Sequence, residues 1–281
     1  MARTLAATLL PACLLLAGAA TGAHAADTGA DIDAALQATV AGEWRDPKNV
    51  ARDPYRHPVA TLSFLGVRPD ATVVEITPGG GWYAEILAPY LRDGGHYVAA
   101  TWDDAIEGQP GYRYRLNDAL RAKFAGAPGV YGTPEVRVFD PAQPVFGPAA
   151  SADAVLTFRN AHNWVDEGTA EAYFAAFFDV LKPGGTLGVV DHRAKPGTDP
   201  ERMQSSGYLT EALVVELATG AGFELEASSE VNANPADTAD HPNGVWTLPP
   251  TNNHDAADAE RYRAIGESDR MTLRFRKPRR E

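Results

Sequence analysis

Residues 73–88 read Val-Val-Glu-Ile-Thr-Pro-Gly-Gly-Gly-Trp-Tyr-Ala-Glu-Ile-Leu-Ala. A β-branched run carrying Glu75 breaks at Thr77-Pro78 into Gly79-Gly80-Gly81 and resumes with helical spacing from Trp82. A strand, a glycine turn and a helix N-terminus in that order let backbone N–H groups and the positive end of the helix dipole approach a ligand closely. Because glycine also closes ordinary loops, this signal is weak alone. The other residues suited to chemistry are histidines, which exchange protons near neutral pH. His162 is the first candidate base, with His57 and His192 as alternatives. His57, His162, His192 and His241 lack the close pairwise spacing of a zinc motif, so no metal site is expected. There is no Gly-x-Ser-x-Gly turn, and the single cysteine, Cys13, falls in an apolar N-terminal run. Both features argue against hydrolases of similar topology.

These residues need a scaffold, and the pattern supplies one. Strands are expected at 72–77, 97–101, 136–139, 153–158, 186–191, 224–229 and 271–276. Helices are expected at 82–91, 111–124, 170–181 and 209–221, and an earlier one begins at Pro58, which suits a first helical turn. Alternating strands and helices imply right-handed crossovers and an α/β, doubly wound, mostly parallel seven-stranded sheet. Residues 26–70 form an N-terminal helical cap, and 71–281 the main domain. Residues 231–269, rich in Asn, Pro, Asp and Ala, read as a long loop over the cleft. In open α/β sheets ligands sit at the carboxyl ends of strands. That rule gathers Glu75–Gly81, Thr101–Asp104, Asp140, Arg159–Trp164 and Asp191–Arg193 on one rim. Tyr55, Arg56, Trp82 and Trp246 are candidates for the acceptor wall.

A second segment, Val180-Leu181-Lys182-Pro183-Gly184-Gly185-Thr186-Leu187-Gly188-Val189-Val190-Asp191, gives the glycine turn its weight. Together the two resemble the class I S-adenosylmethionine-dependent methyltransferases, over about Val50 to Pro278. Arg52-Asp53-Pro54-Tyr55-Arg56-His57-Pro58 and Ser268-Asp269-Arg270 resemble segments of a group of predicted bacterial methyltransferases. The resemblance implies S-adenosylmethionine as cofactor, held at Glu75, Thr77, Gly79 and Gly81. Thr77 stands where the family has its first glycine, and Pro78 is expected to push it to the extended region, where a β-branched residue is comfortable. The family closes its second strand with an acid that grips the ribose. Here that strand ends in Thr101, so Asp103 is the expected substitute. Asp140 falls where the family contacts adenine, and is equally read as a turn residue before Pro141. Methyl transfer needs chiefly a placed nucleophile, and a base, here His162, only where the acceptor must lose a proton.

Residues 1–25 carry Arg3, an apolar run and Ala23-His24-Ala25, the order of a secretory signal cleaved before Ala26. The run is shorter than the roughly 18–20 residues that span a membrane, so no stable anchor is expected. The chain is therefore expected to be periplasmic or secreted. With 25 Lys and Arg against 37 Asp and Glu and a net charge of −12, it is poorly suited to nucleic acid or anionic membranes. A small-molecule acceptor is the expected partner. Export and an S-adenosylmethionine fold pull against each other, because that cofactor is not expected outside the cytoplasm. Two readings stand: an active methyltransferase, or a binding or accessory protein on a degenerate methyltransferase fold.

Overall fold

The computed structural model describes Met1 and residues 29–279. The rest of the signal expected at 1–25 lies outside the described residues. The chain opens with α1 (Gly29–Val40), α2 (Pro47–Val50), α3 (Asp53–Arg56) and α4 (Pro58–Phe64), which form the cap. Then come β1 (Thr72–Ile76), α5 (Ala84–Leu91), β2 (His96–Trp102), α6 (Gly111–Gly126), α7 (Pro128–Tyr131) and β3 (Glu135–Phe139). The second half runs β4 (Ala152–Phe158), α8 (Ala161–Asp166), α9 (Ala170–Val180), β5 (Leu181–His192), α10 (Pro200–Ser206), α11 (Glu211–Gly220), β6 (Glu224–Ser229), α12 (Ala259–Ile265) and β7 (Arg270–Arg276).

The seven strands form one sheet in the order β3-β2-β1-β4-β5-β7-β6. All neighbours are parallel except β7, which runs antiparallel to both β5 and β6. The order reverses between β1 and β4, so the crevice of an open sheet falls there, between the glycine turn and the end of β4. Alternate residues of each strand feed two cores. Val74, Ile76, Val155, Leu187 and Leu273 meet Phe174 and Phe177 on one face. Val73, Tyr97, Ala99 and Leu156 meet Ile86, Leu87, Leu62 and Leu65 on the other. The cap joins this second core through the helical stripe Ile32, Leu36 and Val40, with Leu36 fully buried.

Two expectations need correction. The β5 strand begins at Leu181, not 186, because Leu181 already pairs with Ala152 across a register shift before Ala154. Residues 231–269 are not a structureless loop. They contain 3₁₀ turns at Gly244–Thr247 and Ala256–Asp258 as well as α12. Side chains pin the segment to the body. Asn232 Nδ2 donates to Thr61 Oγ1 and Thr272 Oγ1, and Asn234 Nδ2 donates to the carbonyls of Ile265 and Glu267.

Candidate active site

The crevice opens into a cavity of about 610 Å³ at the carboxyl ends of β1, β4 and β5, and the cap contributes to its wall. Glu75, Thr77, Pro78, Gly79 and Gly80 form one side, and the cap adds Arg52 and Arg56, with Trp82 from the turn before α5. Arg159, Asn160, His162 and His192 form the other, and Trp246 and Thr251 come from the late segment. The expected acceptor wall is thus present in Arg56, Trp82 and Trp246, whereas Tyr55 is exposed and lies outside it.

The glycine turn is open toward this space. Gly79 has φ +59, and a Cβ built on Gly79 or on Gly80 would meet nothing within 4 Å. Gly81, at φ +81, is different: its Cβ would press on Leu120 and Lys123 of α6, so this glycine serves packing rather than the cavity wall. Thr77 overturns the expectation of an extended conformation, for its φ is +46. Its N–H donates to Ala100 O across the β1–β2 junction at 2.8 Å, a tertiary bond that outweighs the preference set by Pro78. A β-branched residue held at positive φ is strained, and such strain gathers at functional sites. Thr77 Oγ1 is buried without a hydrogen-bond partner at the cavity, so a polar ligand there would satisfy it.

Glu75 points its carboxyl at Tyr97, whose Oη donates to Oε2 at 2.6 Å. Burial raises this carboxyl to about 8, against the opposing pull of the Tyr97 hydrogen bond and of Arg56. Its folded value therefore exceeds its unfolded one, and the stability it contributes at low pH is lost as pH rises from about 4.5 toward about 8. Glu75→Gln keeps an acceptor for Tyr97 without the charge. The variant is expected to melt at the wild-type temperature at pH 5 and on the order of 5–10 °C higher at pH 9. Equal melting curves at pH 9 would contradict a carboxyl held neutral.

Asp103 and Asp140 are not brought to the cavity wall. Each closes its own turn: Asp103 Oδ1 accepts from Ala105 N and Asp140 Oδ1 from Ala142 N, both at 2.9 Å. Asx turns of this kind are what such residues form when nothing else claims them. The neighbouring Asp104 is engaged by Asn117 and Arg121. Their expected roles at the ribose and adenine find no support in this geometry.

His162 opens α8 and is 8% exposed at the cavity. Its Nδ1 lies 2.8 Å from Oδ1 of Asp191, which is fully buried at the end of β5. Asp191 also accepts from the backbone N–H groups of His162 and His192. In the tautomer with the proton on Nδ1, His162 donates to Asp191 and Nε2 is left as the acceptor nitrogen. His192, whose ring centroid lies 5.0 Å from that of His162, plays another part. Its Nε2 accepts from Arg159 Nε at 3.3 Å, and its Nδ1 therefore donates to Ser268 Oγ. Burial, then the charge of Arg159, holds His192 well below its usual proton affinity, so it stays neutral. The exposed His57 caps α4 outside the cavity, and His241 binds Asp237.

His162, Asp191 and His192 place ligand-type atoms within 4.8 Å of one another. The hydrogen bonds above already engage His162 Nδ1, both Asp191 oxygens and both His192 ring nitrogens. Arg159 donates into the trio, and a cation there would face its guanidinium at close range.

The cap and the late segment meet at one carboxylate. Glu267 takes Arg52 Nε at 2.6 Å, Arg56 Nε at 3.2 Å and Arg270 at 3.1 Å. Burial resists its ionisation, but Arg56, Arg270 and Arg52 pull the carboxyl down to about 2. Arg52 and Arg56 of the Arg-Asp-x-Tyr-Arg-His-Pro segment and Arg270 of the Ser-Asp-Arg segment are thus joined through Glu267, 215 residues from Arg52. Sequence reasoning put Arg159, Asp191 and His192 on the rim but not their network, which depends on β4 and β5 lying side by side.

No protein-family model matches this chain, and no curated protein matches it. Solved structures do. A SAM-dependent methyltransferase from Aquifex aeolicus superposes with a TM-score of 0.54 at 14% identity, covering 87% of this chain and 98% of that one. The [4+2]-cyclase SpnF superposes with a TM-score of 0.55 at 18% identity, covering 90% and 95%. At such identities the likeness establishes architecture: this chain has the class I S-adenosylmethionine-dependent methyltransferase fold, and the cyclase is a second kind of protein on it.

Proposed function

We propose that this chain transfers a methyl group from S-adenosylmethionine to a small-molecule acceptor. The observation that carries the proposal is a single cavity with an open glycine turn and a buried, unpaired Thr77 hydroxyl on one side and an Asp-oriented histidine on the other. The fold is consistent with that use. The residues fit the cofactor: Glu75, Thr77 and the Gly79-Gly80 backbone would hold its amino-acid end near the N-terminus of α5. Bound there, the cofactor supplies an electrophilic methyl group on a sulfonium.

The remaining work belongs to the protein. His162 Nε2 accepts the acceptor's proton where the nucleophile carries one, and Asp191 stabilises the resulting imidazolium. Trp82 and Trp246 limit water at the two edges of the cavity. Incubating the purified protein with S-adenosylmethionine and fractionated small-molecule extracts is expected to release S-adenosylhomocysteine in at least one fraction, measured by mass spectrometry. If no fraction raises S-adenosylhomocysteine above the level without protein, the methyl-transfer reading fails.

We further propose export with cleavage after Ala25, which rests on the order of charge, apolar run and small residues at the N-terminus. Mass spectrometry of the periplasmic fraction should find Ala26 first; a cytoplasmic chain retaining Met1 would overturn this.

A further inference from the structure

The cavity carries more positive charge than its acids neutralise. Arg52, Arg56 and Arg159 line it, and Arg270 lies just behind them. Glu267 alone serves Arg52, Arg56 and Arg270. Asp191 is committed to His162, and Glu75 is bonded to Tyr97. Among the described residues, Arg159 has only a ring nitrogen of neutral His192 as a side-chain hydrogen-bond partner. Arg52 Nη2 is buried without a hydrogen-bond partner among the described residues. Burial lowers Arg56 to about 9 and Arg159 to about 10, with Glu267 opposing and the neighbouring guanidinium groups adding to the fall, so both remain charged at neutral pH and repel one another. Arg159 is also held at φ +64, in the left-handed region, with its N–H on Val190 O. A like-charged cluster in a concave site with strained backbone calls for more counter-charge than Glu267 supplies among the described residues.

Guanidinium groups bind carboxylates and phosphates through paired N–H donors, which fixes orientation as well as charge. We propose that the methyl acceptor carries an anionic group, a carboxylate or a phosphate, that docks on Arg52 and Arg159 and places the acceptor atom toward His162. This rests on the methyl-transfer reading. The sheet order separates the two ligands. The glycine turn leaves β1 beside β2, whereas Arg159 leaves β4 and Glu267–Arg270 leads into β7, on the opposite side of the crevice.

Titration calorimetry on the whole chain tests the proposal, using acetate, inorganic phosphate, benzoate, phenyl phosphate and neutral benzamide, each with and without saturating S-adenosylhomocysteine. At least one anion is expected to bind while S-adenosylhomocysteine is present, with benzamide at least about tenfold weaker than benzoate or phenyl phosphate. The tighter of those two identifies the acceptor's group. Arg159→Gln and, at the more exposed edge, Arg52→Gln should each weaken the anion about 10- to 100-fold and leave S-adenosylhomocysteine affinity within about twofold. Arg159→Lys should recover part of the loss, which a merely misfolded cavity would not allow. Benzamide binding as tightly as the anions, or no anion binding at tens of millimolar, would overturn the proposal. So would strict competition between anion and S-adenosylhomocysteine, which would assign the arginines to the cofactor's own carboxylate. Should S-adenosylhomocysteine fail to bind while an anion binds with the same arginine dependence, the anion site stands and the methyl-transfer reading falls.

Discussion

His162→Asn is expected to slow methyl transfer about 10²- to 10⁴-fold while S-adenosylhomocysteine affinity stays within about twofold of wild type. The asymmetry follows from position. His162 faces the cavity from α8, across from the glycine turn, and its Nδ1 is fixed by a fully buried carboxylate. Asn keeps a donor for Asp191 but offers no base in place of Nε2. Asp191→Asn is expected to cost less than the histidine change, because imidazole remains while its tautomer and imidazolium lose their support. An unchanged rate would show that placement alone drives the transfer, and the histidine would then be structural.

Gly79→Val is expected to abolish S-adenosylhomocysteine binding, a loss of more than about 100-fold, while far-ultraviolet circular dichroism stays native. Two effects combine. Gly79 sits at φ +59, where a β-branched residue costs about 1–2 kcal/mol or more. The new side chain also projects into open cavity, since nothing lies within 4 Å of the Cβ position. Binding therefore loses the close backbone approach that the turn provides. The matched control is Gly81→Ala. That Cβ meets Leu120 and Lys123, so it should lower the melting temperature more than it lowers affinity. If Gly79→Val binds as tightly as wild type, the turn is only a connection between β1 and α5.

What could be read from the sequence, and what could not, divides along local and tertiary lines. The strands were legible because their β-branched and apolar runs are bounded by Gly and Pro, and all seven occur within a few residues of the expected positions. The short helices α2, α3, α8 and α10 were not expected. Four to seven residues carry too little periodicity to register, although Pro near the first turn of three of them is a usable mark. The conformation of Thr77 is not legible locally because it answers to Ala100, a residue on another strand. Proximity in sequence points Asp103 to the ribose, whereas the fold turns it back on Ala105. The network of Arg159, Asp191 and His192 joins residues about 30 apart through adjacent strand ends, and Glu267 reaches Arg52 across 215 positions. Residue types at the rim were visible; their partners were fixed only by strand order.

The late segment shows the same division. Its composition suggested a loop over the cleft, and Trp246 and Thr251 do reach the cavity. Yet Asn232 and Asn234 anchor it through side-chain bonds that composition does not reveal.

The central claim is that this cavity holds S-adenosylmethionine. Calorimetric titration of the chain with S-adenosylhomocysteine tests it most directly, with Gly79→Val as the paired sample. The account predicts one site per chain with saturable binding in the wild type and none in the variant. No measurable binding by the wild type at millimolar S-adenosylhomocysteine would contradict it.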